Sequence, residues 1–336
     1  MTIYLTDSDR WPISLNAGCE NLDEYMEKLD FSVYQSSVWG LVKEQKGWKH
    51  VAISFEASNS LRYPLSILVK EKFGLSIIWI PGVPDYLSEM SGPYLLFRLE
   101  KLLGINIAYA RIFCSTYKAE EEKNLEKCFL RNGWQRPSRK LSSGKTVILS
   151  LSDLGGDGLP RHLNRSWKRA LRSTKEIAGE ISRELPESEE VFDLLCKLEL
   201  RKKIKRQYSF NELDILLTHF HDRLVAVSMR DTDGTLVQFR AAVLFGTHAL
   251  DLVAASSKHQ RVPGLSNLLV VELIKILCAS GAESFDFGGI DEINNSGVAR
   301  FKLGIGGQVT NYVGEFDLYK PKLLRLPGEL MLDLGL

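Results

Sequence analysis

No Cys-x-x-Cys pair occurs in the 336 residues, and the five cysteines (Cys19, Cys114, Cys128, Cys196, Cys278) are odd in number and widely spaced. That pattern builds neither a disulfide framework nor a zinc site, so no metal is expected, and it fits a reducing compartment. No apolar run approaches the roughly 20 residues that a bilayer core requires. The longest, Leu75 to Val83, contains Pro81. The opening Met1-Thr2-Ile3-Tyr4-Leu5-Thr6-Asp7 lacks the basic and apolar regions of a secretion signal, and the expected location is the cytoplasm. An excess of one charge is missing too. Forty-three Lys plus Arg against 42 Asp plus Glu leave a net charge of +1, which excludes coating a nucleic acid with the whole surface and confines any polyanion contact to a local patch. With 44% hydrophobic and 25% charged residues, the composition excludes disorder, collagen and coiled coil, and the length predicts two domains.

The hydrophobic patterns predict mixed α/β structure in both halves. The first half reads as a helix over 35–46, strands at 51–55, 65–69 and 76–80, a helix over 94–103, a strand at 107–113, a helix over 118–131 and a strand at 146–151. Gly155-Gly156-Asp157-Gly158 then reads as the interdomain boundary. Helices are expected at 161–178, 189–205 and 211–223, followed by strands at 224–229, 236–245 and 250–255, with Asp233-Gly234 as a hairpin turn. A helix at 266–279 and strands at 284–287 and 312–319 complete the reading. Phe129-Leu130-Arg131-Asn132-Gly133-Trp134 and Phe301-Lys302-Leu303-Gly304-Ile305-Gly306-Gly307 stand at corresponding places in the halves, which fits either a duplicated fold or the common aromatic-to-glycine helix end.

The densest chemical signal runs from Ser284 to Asp317. A short strand ends in Asp286-Phe287-Gly288-Gly289-Ile290, a polar loop follows, then comes Phe301-Lys302 with Gly304, Gly306 and Gly307. Paired glycines at strand ends let backbone amides approach a ligand without a Cβ in the way. A lysine among them can hold an ammonium against a developing oxyanion. The plainer reading is that Asp286 caps the amides of Gly288 and Gly289 and that Lys302 solvates a turn.

These residues, with Gly314 and the opening segment Gln35-Ser36-Ser37-Val38-Trp39-Gly40, Lys43 and Gly47-Trp48, resemble the Fem (FemABX) family of peptidoglycan-bridge aminoacyltransferases from about Phe31 to Tyr319. The resemblance implies two tandem domains of the acetyltransferase-like (GNAT) α/β fold, in the compact form without a helical-hairpin arm. The first would span 1–152, completed by 320–336, on the acceptor side. The second would span 153–319 on the donor side. The activity implied is transfer of an amino acid from aminoacyl-tRNA to an amino group of a cell-wall or related glycan precursor, with no cofactor. No stable nucleic-acid complex is expected, and membrane contact only peripherally, through a lipid-linked acceptor. Lys302 matches the family's catalytic lysine, Phe301 would shape the acyl site and Asp286 would belong to the same catalytic set, while the glycines Gly288, Gly289, Gly306 and Gly307 would bind the donor. Trp39 and Lys43 would line the acceptor site, with Lys43 on a diphosphate, and Arg206 and Tyr208 stand near positions that meet the precursor's phosphates. The plainer reading, an ordinary amphipathic helix with Trp39 in the core, weighs slightly more for Trp39 than for Lys43.

A second signal is cationic. Arg161, Arg165, Lys168, Arg169, Arg172 and Lys175 occur without an acid among them, opposite an apolar stripe of Leu163, Trp167 and Leu171. They fit tRNA phosphates or a solvated face. Arg201-Lys202-Lys203-Ile204-Lys205-Arg206 closes a helix that opens with acids, which the helix dipole also explains. His219 and His221 point in different directions and make no metal pair. Two other functions compete. An acyl-CoA-dependent N-acyltransferase of the same fold would hold pyrophosphate on amides before the helix at Ser266, where Pro263 removes a donor. A non-catalytic RNA- or glycan-binding protein would use the basic helix alone.

Overall fold

The computed structural model describes residues 13–15, 22–28, 32–56, 62–72, 74–116, 119–155, 158–174, 181–257, 264–293, 295–320 and 325–335. In chain order the elements are β1 (Ile13–Leu15), α1 (Leu22–Lys28), α2 (Ser37–Glu44), β2 (Lys49–Glu56), β3 (Arg62–Lys72), β4 (Leu75–Val83), α3 (Gly92–Leu103), β5 (Ile107–Cys114), α4 (Ala119–Arg131) and β6 (Lys145–Ser150). Then follow α5 (Arg165–Arg172), β7 (Ile181–Ser182), α6 (Ser188–Lys202), α7 (Phe210–Thr218), β8 (Leu224–Arg230), β9 (Leu236–Phe245), β10 (His248–Ser256), α8 (Leu265–Ala279), β11 (Ser284–Gly289), α9 (Ser296–Leu303), β12 (Gln308–Asn311), β13 (Gly314–Tyr319) and α10 (Arg325–Gly335). They form two units, residues 1–144 with 311–336, and residues 145–310.

In the first unit six strands lie in the order β1-β2-β3-β4-β5-β13. The pair β4 and β5 is parallel and is joined by α3, as a parallel pair requires a crossover. Pro93 in the first turn and Gly104 in the left-handed conformation at the end fit α3 to its length. β13 then closes the sheet antiparallel to β5, with Asp317 opposite Arg111. Leu65, Ile67, Ile78, Ile80, Ile112, Phe129, Trp134 and Phe316 build the core. On the other face of β5 Arg111, 1% exposed, donates from Nε and Nη2 to the two carboxylate oxygens of Asp317 at 2.7 and 2.9 Å and from Nη1 to Glu315 at 3.2 Å. Glu315 accepts from the amides of Leu141 and Ser142. Glu329 of α10 approaches the same guanidinium at 3.9 Å and accepts from the amide of Ser138.

The second unit repeats the plan in the order β12-β6-β11-β10-β9-β8-β7. Here the parallel pair is β10 and β11, joined by α8, and β6 is the antiparallel strand beyond β11. Val227, Val243, Leu269, Leu273, Phe285 and Phe287 are buried in this unit. Ser209 and Glu212 form a reciprocal capping box on α7, and Gly234 at φ +80° makes the β8–β9 turn.

Three sequence expectations change. The domain boundaries expected at 152/153 and 319/320 lie at 144/145 and 310/311, because β6 bonds to β11 while β13 bonds to β5. The glycine cluster sits within the second unit. The Gly155 amide donates to the Leu159 carbonyl at 2.7 Å and Leu154 bridges to Pro160, while Gly156 and Asp157 lie outside the described residues. The helix expected over 161–178 runs only from Arg165 to Arg172, started by Asn164, whose side chain accepts from the Trp167 amide. Arg161 precedes it, and Lys175 lies outside the described residues.

Removing one member of a buried ion cluster strands the charges left behind. Arg111→Leu should lower the unfolding free energy by about 3–5 kcal/mol in urea titration, whereas exposed Lys123→Gln should stay within about 0.5 kcal/mol.

Candidate active site

The candidate site lies at the C-terminal end of β11. β10 is irregular between Asp251 and Val253, and β11 is irregular against β6 between Asp286 and Gly289. Such irregularities re-aim side chains next to sites. Asp286 accepts from the Gly288 amide at 2.7 Å and from the Thr146 hydroxyl, which fixes its carboxylate and the strand end. Gly288 has φ +71°, and a Cβ there would stand 3.6 Å from the Lys302 Nζ.

The segment carrying Lys302, expected to be a loop and a turn, is the helix α9, and Lys302 stands in its last turn. The half-buried ammonium donates to the Gly289 carbonyl at 2.9 Å. Burial lowers its pKa, and Arg240 pushes in the same direction, while the carboxylates of Asp251 and Asp286 work against them. Asp251 in turn is raised, by burial first, against the pull of Arg240 and Lys302. Arg240 and Asp251 are joined by a 2.5 Å ion pair. The guanidinium lies 5.5 Å from the Phe301 ring centre and 5.9 Å from that of Phe287. Nε of Arg240 and Oδ1 of Asp251 are buried without a hydrogen-bond partner among the described residues. The arrangement can therefore hold an amine that shares a proton easily, next to an ion pair with spare valence.

Phe301 stacks on Trp167, with ring centres 4.9 Å apart, and its carbonyl accepts from the Trp167 indole at 2.9 Å. This joins α5 to α9. The cations Arg165, Lys168, Arg169 and Arg172 are exposed at i, i+3, i+4 and i+7, while Trp167 is buried on the other side. Arg161 is exposed and donates to the Leu154 carbonyl off the helix. Gly306, at φ +81°, is pressed against the chain itself: a Cβ would fall 2.3 Å from the His162 carbonyl oxygen. A Cβ on Gly307 would meet the Ile148 carbonyl at 2.7 Å. Their close approach is to protein.

Tyr208 is half-buried, and burial raises its hydroxyl to about 12, with Asp251 among the charges acting on it. Arg206 is engaged with α6, 5.4 Å over the Phe192 ring and 3.9 Å from Glu199. In the first unit Lys43 is 9% exposed, with its ammonium 4.8 Å from the Trp39 ring centre and 5.1 Å from that of Trp79. Gln35 bonds to the Ser66 amide and carbonyl and to the Pro81 carbonyl. This half of the signature packs a helix onto a sheet, and Lys43 offers little surface to a diphosphate. The segment 258–263, which contains Pro263, lies outside the described residues. Sequence reading missed Arg240, Asp251, Thr146 and the stacking role of Trp167. A charge inside each of the apolar strands Leu236–Phe245 and His248–Ser256 was the available signal. No cluster of metal-ligating side chains occurs among the described residues.

Residues 202–325 match the FemAB family model. The chain has the fold of a crystal structure of FemX, with a TM-score of 0.79 and 15% identity over 94% of this chain and 100% of that one. It is also similar in fold to L-PGS from Bacillus licheniformis (TM-score 0.58, 13% identity, 94% of this chain and 96% of that one). A tandem GNAT protein from the clavulanic acid biosynthesis pathway gives a TM-score of 0.53 at 9% identity over 92% of this chain and 98% of that one. The two units are thus two GNAT-like domains. No curated protein sequence matches the chain. The matched segment carries Asp286, Gly288, Gly289, Phe301, Lys302, Arg206 and Tyr208, together with Arg240 and Asp251, whereas Trp39, Lys43 and the basic helix stand outside it.

In a lysine side-chain NMR titration, the signal lost in Lys302→Met should titrate below the ordinary lysine value. Asp251→Asn removes a charge that favours the ammonium and should move the midpoint further down. A midpoint at the ordinary lysine value would contradict the burial found here.

Proposed function

We propose that this Fem-type acyltransferase forms an amide by moving an amino acid from the ester of aminoacyl-tRNA to an amino group on a cell-wall or related glycan precursor. The observation that carries the reading is Lys302, half-buried at the end of β11 within the segment that matches the FemAB family. The donor ester is already activated, so the protein must orient an unprotonated amine and stabilise the tetrahedral oxyanion. The amine nitrogen bonds to the ester carbonyl carbon, the ammonium of Lys302 faces the oxyanion, and the bond to the ribose oxygen breaks. The proton released by the amine ends on that ribose oxygen. A lysine whose pKa is lowered by burial passes protons more readily than a surface lysine. Phe301, held by Trp167, walls the acyl position, and Asp286 keeps Gly288 folded beside the ammonium.

The exposed face of α5 is assigned to tRNA phosphates. Among the described residues its four exposed cations have no partner that would tie them to the protein surface, while Trp167 on the buried side reaches Phe301. Acceptor roles for Trp39, Lys43, Arg206 and Tyr208 and donor roles for Arg161, Gly306 and Gly307 remain part of the family reading. The packing of Lys43 between two indoles favours Tyr208 over it.

Lys302→Met should reduce turnover by at least about 100-fold, or roughly 2.7 kcal/mol, with donor and acceptor affinities within a few-fold. A loss under threefold would remove Lys302 from the chemistry. The assay should offer the purified chain aminoacyl-tRNAs and acyl-CoA side by side. Amide product from acyl-CoA alone would establish the CoA-dependent alternative, and binding without turnover on either donor would leave a binding protein.

The variant Arg165→Gln, Arg169→Gln, Arg172→Gln should weaken binding of every tRNA about equally. Each lost contact should reduce the slope of log affinity against log salt by roughly 0.7 to 0.9. Melting temperature should hold, because exposed charges contribute little. An unchanged slope would show a merely solvated face.

A further inference from the structure

The turn after α6 mixes side chains that neither a core nor an ordinary solvated surface explains. Leu200 is 83% exposed and Ile204 48% exposed. Around them Lys202, Lys203 and Lys205 are also exposed. The helix dipole accounts for cations in the last turn of α6. It does not account for Lys203 and Lys205 beyond the helix end, nor for two branched aliphatic side chains in water. Between residues 161 and 206 there are thirteen cations against eight acids, in a chain of net charge +1, so the cationic excess is local.

The turn is also built to a shape. Lys203 ends α6 in the left-handed conformation at φ +54°, which a side-chain-bearing residue adopts at a cost. The Ile204 amide donates to the Glu199 carbonyl at 3.1 Å, and the Gln207 amide donates to the Glu199 carboxylate at 2.7 Å. Glu199 itself is buried. Arg206 folds back over Phe192. The backbone of 200–207 is thus held at both ends while Leu200 and Ile204 stay outward.

We propose that residues 200–205 are a docking surface for an anionic lipid bilayer, with lysine ammonium groups at the headgroup phosphates and Leu200 and Ile204 in the boundary between headgroups and acyl chains. Interfacial segments combine these two chemistries, since charge attraction and apolar burial add. No described helix is long and apolar enough to cross a membrane, so the contact is peripheral. A nucleic acid would use the lysines but gains nothing from exposed aliphatic groups, because its bases stack on aromatic rings, and residues 200–205 contain none. The inference stands apart from the identity of the acyl donor.

The test is co-sedimentation of the full chain with vesicles of phosphatidylcholine alone and with added phosphatidylglycerol. The chain should bind the anionic vesicles and not the neutral ones. A lysine near an anionic surface is worth about a fivefold factor in binding. The variant Lys202→Gln, Lys203→Gln, Lys205→Gln should therefore bind about 100-fold more weakly. Leu200→Ser with Ile204→Ser keeps every charge and should lose about tenfold or more, with an unchanged melting temperature. Failure to bind anionic vesicles, or wild-type binding by both variants, would overturn the proposal. So would a lysine variant that loses tRNA affinity while the aliphatic variant binds vesicles normally, which would make the turn an RNA contact.

Discussion

The guanidinium of Arg111 is enclosed in the first unit with carboxylates that arrive from the far end of the chain, two of them on β13 and one on α10. A buried arginine without partners would be untenable, as would Asp317 and Glu315 without the arginine. The bidentate geometry sets both the register and the direction of β13 against β5. Once β13 is committed there, α10 follows, and Leu332 enters a cluster with Trp48, Leu68, Ile77 and Tyr109. The first sheet is thereby closed by a strand that sequence order would give to the second half.

The second sheet is completed in the same manner, by β6 beside β11. Each unit has three antiparallel strands leading into a parallel pair, a helix across the pair, and an antiparallel strand beyond it. That topology repeats although few residues do, because hydrophobic spacing and a right-handed crossover suffice to specify it. Chemistry is not repeated. In the first unit, strand β13 facing the last strand of the parallel pair carries Asp317 and Glu315, which are consumed by Arg111. In the second, charge collects around Lys302, Arg240, Asp251 and Asp286 with hydrogen-bonding capacity left over.

That leftover capacity separates the candidate site from a structural ion cluster. Glu315, Asp317 and Arg111 bond to one another and to backbone amides or carbonyls. Among the described residues, Asp251 and Arg240 each keep a buried atom unpaired beside an amine whose ammonium form is disfavoured by burial. Low-dielectric surroundings strengthen a charge placed there for catalysis and penalise it at rest. The basic face of α5 is joined to this centre through the contact of Trp167 with Phe301, ring to ring and indole to carbonyl.

Local spacing by itself determined much of this protein. The periodicity predicted most strands and helices, the Asp233-Gly234 turn formed as read, and Asp286, Phe301 and Lys302 stood out because glycines flank them. Tertiary structure decided what depends on partners distant in sequence. It moved the domain boundaries, since β6 and β13 are ordinary strands whose sheet is chosen by side chains far away in the chain. It extended a helix, α9, back into the expected polar loop, where eight residues are too few for a clear periodic signal. It placed Lys43 between two indoles and Gly306 against a carbonyl, roles that residue type cannot announce. It brought Arg240 and Asp251 together across antiparallel strands, an ion pair that exists only once the register of β9 and β10 is set. Propensity and patterning act over a few residues, whereas burial, charge pairing and strand register are properties of the assembled sheet.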